Sequence, residues 1–201
     1  MNKPDIDFFF DFSSPYGYLG AQKIEALAAK HGRAVDWRPM LLGVVFKQTG
    51  AAPLTEVPIK GPYSKHDFLR SARFHGIEFK MPSVFPIAGQ APSRIVLWAK
   101  QQDPTAAGRV VKAMYRAFFV DGLDISKPDI AADVAGRAGL DREAARAAID
   151  DPGIKDALKR EVDAAITAGV FGSPFVIVDG EPFWGVDRFD QIEHWLARGG
   201  F

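Results

Sequence analysis

Two serine–proline pairs and one acidic turn are the residues whose types and spacing suit chemistry. Ser14-Pro15 follows an aromatic stretch, Ile6 to Phe12, and has the form of a helix start, with serine at the cap and proline at the first helical position. A helix N-terminus presents unpaired amide N–H groups and a partial positive charge, so an anion is stabilised there, and a serine hydroxyl adds a donor. Ser173-Pro174 stands just before an apolar run, Phe175 to Val178. Asp187-Arg188 opens a second expected helix, whose N-terminus suits a carboxylate while the Asp187 side chain suits an ammonium. Each of these also has a purely structural reading. Ser14 and Asp187 serve as helix caps, Pro174 opens a strand in the trans form, and Arg188 is a solvated charge. A nucleophilic serine is disfavoured, because no Gly-X-Ser-X-Gly elbow surrounds Ser14.

The composition narrows the chemistry further. The chain contains no cysteine, which excludes disulfides, zinc thiolate sites, iron–sulfur clusters and a cysteine nucleophile. His31, His66, His75 and His194 show no metal-ligand spacing and read as structural or solvated. A formal net charge of zero argues against nucleic acid or a membrane surface as partner. No apolar run approaches the roughly 20 residues of a membrane helix. The N-terminal MNKPDIDFFFDF lacks the pattern of a signal peptide, so the cytoplasm is the expected location. With 201 residues, the chain suits one domain, or one domain carrying a large insertion.

The elements that must position these residues are legible from periodicity. Ile6–Phe12 reads as a strand, with Phe8, Phe9 and Phe10 as sheet core. A helix is expected from Ser14 to about His31-Gly32, and a second strand, parallel to the first, from Ala34 to Pro39. From Leu41 to about Arg160 the pattern turns helical, as in Ser93–Gln102, Ala106–Val120, Lys127–Ala138 and Asp141–Ala148. Loops between the helices are expected to hold Pro53, Pro58, Pro62, Pro82, Pro86 and Pro92. Phe175–Val178, a turn at Asp179-Gly180 and Pro182-Phe183-Trp184 read as a hairpin. A closing helix from Asp187 to Ala197 ends before Gly199-Gly200. The fold class is therefore α/β. A thioredoxin-like domain is made of 1–40 and 166–201, interrupted by a helical insertion over 41–165.

Phe10-Asp11-Phe12-Ser13-Ser14-Pro15-Tyr16-Gly17-Tyr18-Leu19 resembles the strand and helix start of the DsbA-like thioredoxin family. Redox members of that family carry Cys-Pro-X-Cys there. Here Ser14-Pro15-Tyr16-Gly17 takes its place, so disulfide exchange is excluded. Together with Val170-Phe171-Gly172-Ser173-Pro174-Phe175 and Phe183-Trp184-Gly185-Val186-Asp187-Arg188-Phe189, the chain resembles 2-hydroxychromene-2-carboxylate isomerases and the similar kappa-class glutathione transferases. The likeness extends through Phe46-Lys47-Gln48-Thr49-Gly50, Pro58 to Tyr63, and Phe85-Pro86-Ile87.

That resemblance implies bound glutathione as cofactor, a small aromatic or enone carboxylate as substrate, and a homodimer. Its named reaction interconverts 2-hydroxychromene-2-carboxylate and trans-o-hydroxybenzylidenepyruvate, in aromatic catabolism. The resemblance further implies that Ser14 holds the glutathione thiolate. The helix terminus and hydroxyl together lower a thiol pKa by about one to two units. Ser173 would pair with the cysteinyl backbone, and Pro174, in the cis form, would fix its geometry. Trp184, Asp187 and Arg188 would line the γ-glutamyl region, while Lys47 and Tyr63 would address a substrate carboxylate or the glycyl end. One departure is Ala51, where many relatives carry asparagine. Two other readings share these motifs. One is a kappa-like transferase that releases a stable conjugate, and the other is a non-catalytic binding protein on the same scaffold.

Overall fold

The computed structural model describes residues 5–201. Pro4, which the sequence sets just before the expected first strand as its boundary, lies outside the described residues. Strand β1 (Ile6–Phe10) pairs in parallel with β2 (Val35–Pro39) and antiparallel with β3 (Phe175–Val178). The latter forms a hairpin with β4 (Glu181–Trp184), giving the sheet order β2-β1-β3-β4. β1 alternates as a strand covered on both faces must. Phe8 and Phe10 join Trp37 and Tyr115 in one core cluster, while Phe9 packs with Met40, Val45 and Phe175 on the opposite face. All three phenylalanines are buried.

The strand stops at Phe10, two residues earlier than its aromatic run suggests. Asp11 begins a turn in which its carbonyl accepts from the Ser14 N–H at 2.9 Å. The expected single helix after Ser14 is two, α1 (Pro15–Ala21) and α2 (Ile24–Lys30). The break comes where the Lys23 N–H bonds back three residues to the Gly20 carbonyl at 3.0 Å.

Between β2 and β3 the chain forms α3 (Leu42–Thr49), α4 (Lys60–Phe74), α5 (Gln90–Gln102), α6 (Ala106–Phe119), α7 (Pro128–Arg137), α8 (Arg142–Asp150) and α9 (Pro152–Thr167). Pro62 and Pro92, expected in loops, lie in the first turns of α4 and α5. The missing proline N–H costs nothing there, because first-turn amides have no intrahelical partner. Residues of α5 and α6, such as Ile95, Val111 and Met114, share the core cluster of Phe8 and Phe10. α6, which faces this core through Tyr115, is therefore packed against the sheet whose first strand leads into Ser14.

The closing helix α10 (Phe189–Arg198) ends on Gly199 in the left-handed conformation, as expected. Its start differs. Asp187 belongs to a 3-10 turn, Val186–Arg188, and the helix begins two residues later with no side-chain cap. No helix among the described residues is long and apolar enough to cross a membrane.

Candidate active site

Ser14 is buried at the N-cap of α1 in extended backbone conformation. Its Oγ accepts from the Gly17 N–H at 2.9 Å and donates to the Ser173 carbonyl at 2.7 Å. The Ser173-Pro174 peptide bond is cis. The Ser173 side chain turns the other way, its Oγ accepting from the Asp11 N–H at 3.0 Å. The two serine–proline pairs, 159 residues apart, are thus joined by one hydroxyl. Gly17 allows this closeness. A Cβ built on it would stand 2.5 Å from Ser173 Oγ and 2.6 Å from the Tyr115 hydroxyl.

A cavity of about 1140 Å³ opens over this point. Ser14, Ser173, Trp184, Asp187, Arg188 and Lys47 all line it, as does Ala51. Two of the residues singled out from sequence do not. The Pro174 ring lies behind the wall against α1, where a Cβ on Gly20 would be 3.1 Å from its Cγ. Tyr63 is exposed on α4, and its hydroxyl accepts from Arg70 at 2.9 Å. Of the two residues expected to address a substrate carboxylate or the glycyl end, the structure thus places Lys47 on the cavity lining and Tyr63 away from it.

Trp184 forms one rim, edge-to-face with Phe171 at 4.9 Å between ring centroids. Its indole lies over Gly172, where a side chain would collide with it. Arg188 pairs with Asp187 at 3.3 Å. On the far wall Lys23 is 3.2 Å from His75 Nδ1 and sits over the Phe189 ring. His75, read from sequence as structural or solvated, therefore belongs to the cavity lining. Burial and the neighbouring Lys23 charge lower its pKa.

Three further lining residues escaped the sequence reading. Tyr16 donates its hydroxyl to Asp67 of α4, which Arg70 also contacts. Burial and the Asp67 carboxylate push the Tyr16 phenol upward. The Asp67 carboxyl, although partly desolvated, is held below its ordinary range by hydrogen bonds from Tyr16 and Arg70. Ser13 pins the loop after the cis Phe85-Pro86 bond, donating to the Ile87 carbonyl at 2.6 Å and accepting from its N–H at 3.0 Å.

Asp11, the third, is a carboxylate 4% exposed at the base of the cavity. It accepts from the Ser13 N–H at 2.6 Å and the Leu42 N–H at 2.7 Å. Burial raises its pKa, the two N–H donors offset part of the rise, and the result is about 6 against an ordinary 3.8. Because the native state holds this proton more tightly than the unfolded chain, the stability Asp11 contributes is greatest below pH 3.8. It is lost as pH rises through about 6. The wild type should therefore lose about 3 kcal/mol relative to Asp11→Asn across that window. Urea-unfolding midpoints of both proteins between pH 4 and 7 measure this, and parallel curves would contradict it.

Comparison with known proteins agrees with this fold. The family model described as DSBA-like thioredoxin domain matches residues 5–197. A 2-hydroxychromene-2-carboxylate isomerase from Sphingobium xenophagum is 30% identical over 95% of this chain and 97% of its own. Glutathione s-transferase kappa 2 from Caenorhabditis elegans is 27% identical over 98% of this chain and 93% of its own. A solved 2-hydroxychromene-2-carboxylate isomerase superimposes with a TM-score of 0.85 at 26% identity, covering 96% of this chain and 94% of that one. The chain belongs to the DsbA-like thioredoxin family, as a relative of the 2-hydroxychromene-2-carboxylate isomerases and kappa-class glutathione transferases.

Proposed function

We propose that the protein is a glutathione-dependent isomerase of the 2-hydroxychromene-2-carboxylate type, acting on a small enone or aromatic carboxylate. The observation that carries this reading is the Ser14 hydroxyl at the start of α1, hydrogen-bonded to the carbonyl before cis Pro174. Bound glutathione would supply a thiolate that adds reversibly to a conjugated carbon, turning a double bond into a rotatable single bond.

The residues present suit that ligand. Ser14 has one hydroxyl proton, committed to the Ser173 carbonyl. In this reading the Ser173 carbonyl takes a backbone N–H from the cysteinyl residue instead. The Ser14 hydroxyl is then free to donate to sulfur while still accepting from the Gly17 N–H. Asp187 and Arg188 offer charges of both signs to the zwitterionic γ-glutamyl end, and Trp184 covers it. Lys47 faces the substrate carboxylate. The cavity volume exceeds what one drug-sized ligand fills, leaving room for an apolar acid beside a tripeptide. Phe46, Phe68 and Phe85 give that room an apolar lining.

Calorimetry should detect glutathione binding at millimolar concentration or tighter, weakened by Asp187→Ala. Absence of heat at millimolar glutathione overturns the reading. A kappa-like transferase remains the second reading, favoured by the kappa-class relative. Product analysis separates the two, since the isomerase releases a free rearranged product and the transferase a stable conjugate. The homodimer belongs to the same proposal, and sedimentation equilibrium measures it.

A further inference from the structure

Asp11 ties together four segments of the cavity wall. Its backbone N–H holds Ser173 Oγ, and its carbonyl accepts from the Ser14 N–H and from the Tyr115 hydroxyl at 2.8 Å. One carboxylate oxygen takes the Ser13 N–H and the other the Leu42 N–H. Gly89, at the start of α5, lies against the same group, with a built Cβ 3.8 Å from Oδ1. Leu42 opens α3, the helix that brings Lys47 to the cavity. Each oxygen has its own donor, so a proton on either weakens one of the two links.

We propose that Asp11 is a positioning residue whose ionised carboxylate clamps the Ser13–Ser14 turn to the first turn of α3, and that protonation loosens this clamp and weakens ligand binding. The binding half rests on the glutathione reading, whereas the clamp itself does not. Acid stabilises the folded chain as a whole, yet a carboxyl that stays buried but parts from its two N–H donors holds a proton more tightly than one bonded to them, so acid also favours the loosened turn. A carboxyl poised at about 6 by burial places the change in mildly acidic solution.

The other ionisable groups near Asp11 leave this titration its own. Tyr115, on α6, stays protonated, because burial and the Asp11 charge raise its pKa well above the ordinary value. Lys47, on α3, shares the cavity lining. Arg94, on α5, turns away to donate to the Ile149 carbonyl at 3.0 Å. On the far wall stand Lys23, His75, Asp187, Arg188 and Asp190, with Asp67 beside Tyr16. No salt bridge among the described residues involves Asp11. Burial and the neighbouring Lys23 charge lower the His75 pKa, and a variant at position 11 leaves His75 in place.

The test uses S-methylglutathione, whose capped sulfur does not titrate, by calorimetry between pH 5 and 7. Wild-type affinity should fall about tenfold from pH 7 to pH 5, following the ionised fraction. Asp11→Asn should bind as weakly as the wild type at pH 5, with most of that pH dependence gone. An unchanged wild-type affinity, or an Asn variant with the full tenfold profile, overturns the proposal. Hydrogen exchange on the wild type adds a readout that needs neither the variant nor the ligand. Protection of the Leu42 amide, corrected for intrinsic rate, should drop several-fold at pH 5, and constant protection overturns the clamp. Failure of S-methylglutathione to bind at any pH sinks the glutathione reading, and Leu42 protection then decides the clamp alone.

Discussion

Gly17→Ala should destabilise the protein by about 2–3 kcal/mol, although the same change inside an ordinary helix stabilises by up to about 1 kcal/mol. The reversal of sign is the point of the experiment. The added methyl would meet Ser173 Oγ at 2.5 Å and the Tyr115 hydroxyl at 2.6 Å. Neither is the loose end of a flexible chain. Ser173 Oγ is held by the Asp11 N–H, and the buried Tyr115 hydroxyl donates to the Asp11 carbonyl. Either α1 moves outward or these hydrogen bonds break, leaving buried polar groups unpaired. Gly43, also helical, has nothing within 4 Å of a built Cβ and supplies the control. Gly43→Ala should be neutral or stabilising by a few tenths of a kcal/mol to about 1 kcal/mol. The urea-unfolding midpoint should fall in Gly17→Ala and hold or rise in Gly43→Ala. A stabilised Gly17→Ala would mean that Ser173 and Tyr115 yield without cost, and that Ser14 and Ser173 are not held in fixed register.

The residues that meet at this point were unequally legible in the sequence. Ser14-Pro15 announces a helix start through local chemistry alone, and the start lies where it was expected. Ser173-Pro174 could be placed before its strand, but its nearness to Ser14 depends on β1 and β3 pairing across most of the chain. Asp11 gave no signal of its own. It follows three phenylalanines that alternate between two buried faces, and a lone acid there reads as a strand end. Its importance comes from the Leu42 N–H, supplied by a helix 31 residues away. Tyr63 shows the opposite case. It stands in a stretch resembling the family, yet the direction of a helix face is set by packing, and α4 turns Phe68 inward and Tyr63 out. Asp187 fails more subtly, because an acid before an apolar run marks a helix cap but does not separate a cap from a preceding 3-10 turn.

Ser14→Ala should lower turnover of an enone-pyruvate substrate by about 10²–10³, the usual cost of removing one donor aimed at developing negative charge. The pKa of the bound glutathione thiol should rise by about one to two units in the same variant. The argument starts from one oxygen with three jobs. Ser14 Oγ satisfies the Gly17 N–H, donates to the Ser173 carbonyl and, in the proposed complex, transfers that donation to sulfur. Losing the first job costs about 1 kcal/mol, as for other N-caps. This leaves a folded protein in which the chemical effect is readable. Thiolate absorbance against pH reports the bound thiol directly, and steady-state kinetics with saturating glutathione reports turnover. Ser14→Thr retains a hydroxyl and should recover part of both, whereas a structural cap alone predicts recovery of stability with no change in thiol pKa. Wild-type turnover and an unshifted thiol in Ser14→Ala would return Ser14 to the role of a helix cap. The thiolate would then be held by the N–H groups of α1 without a side-chain donor.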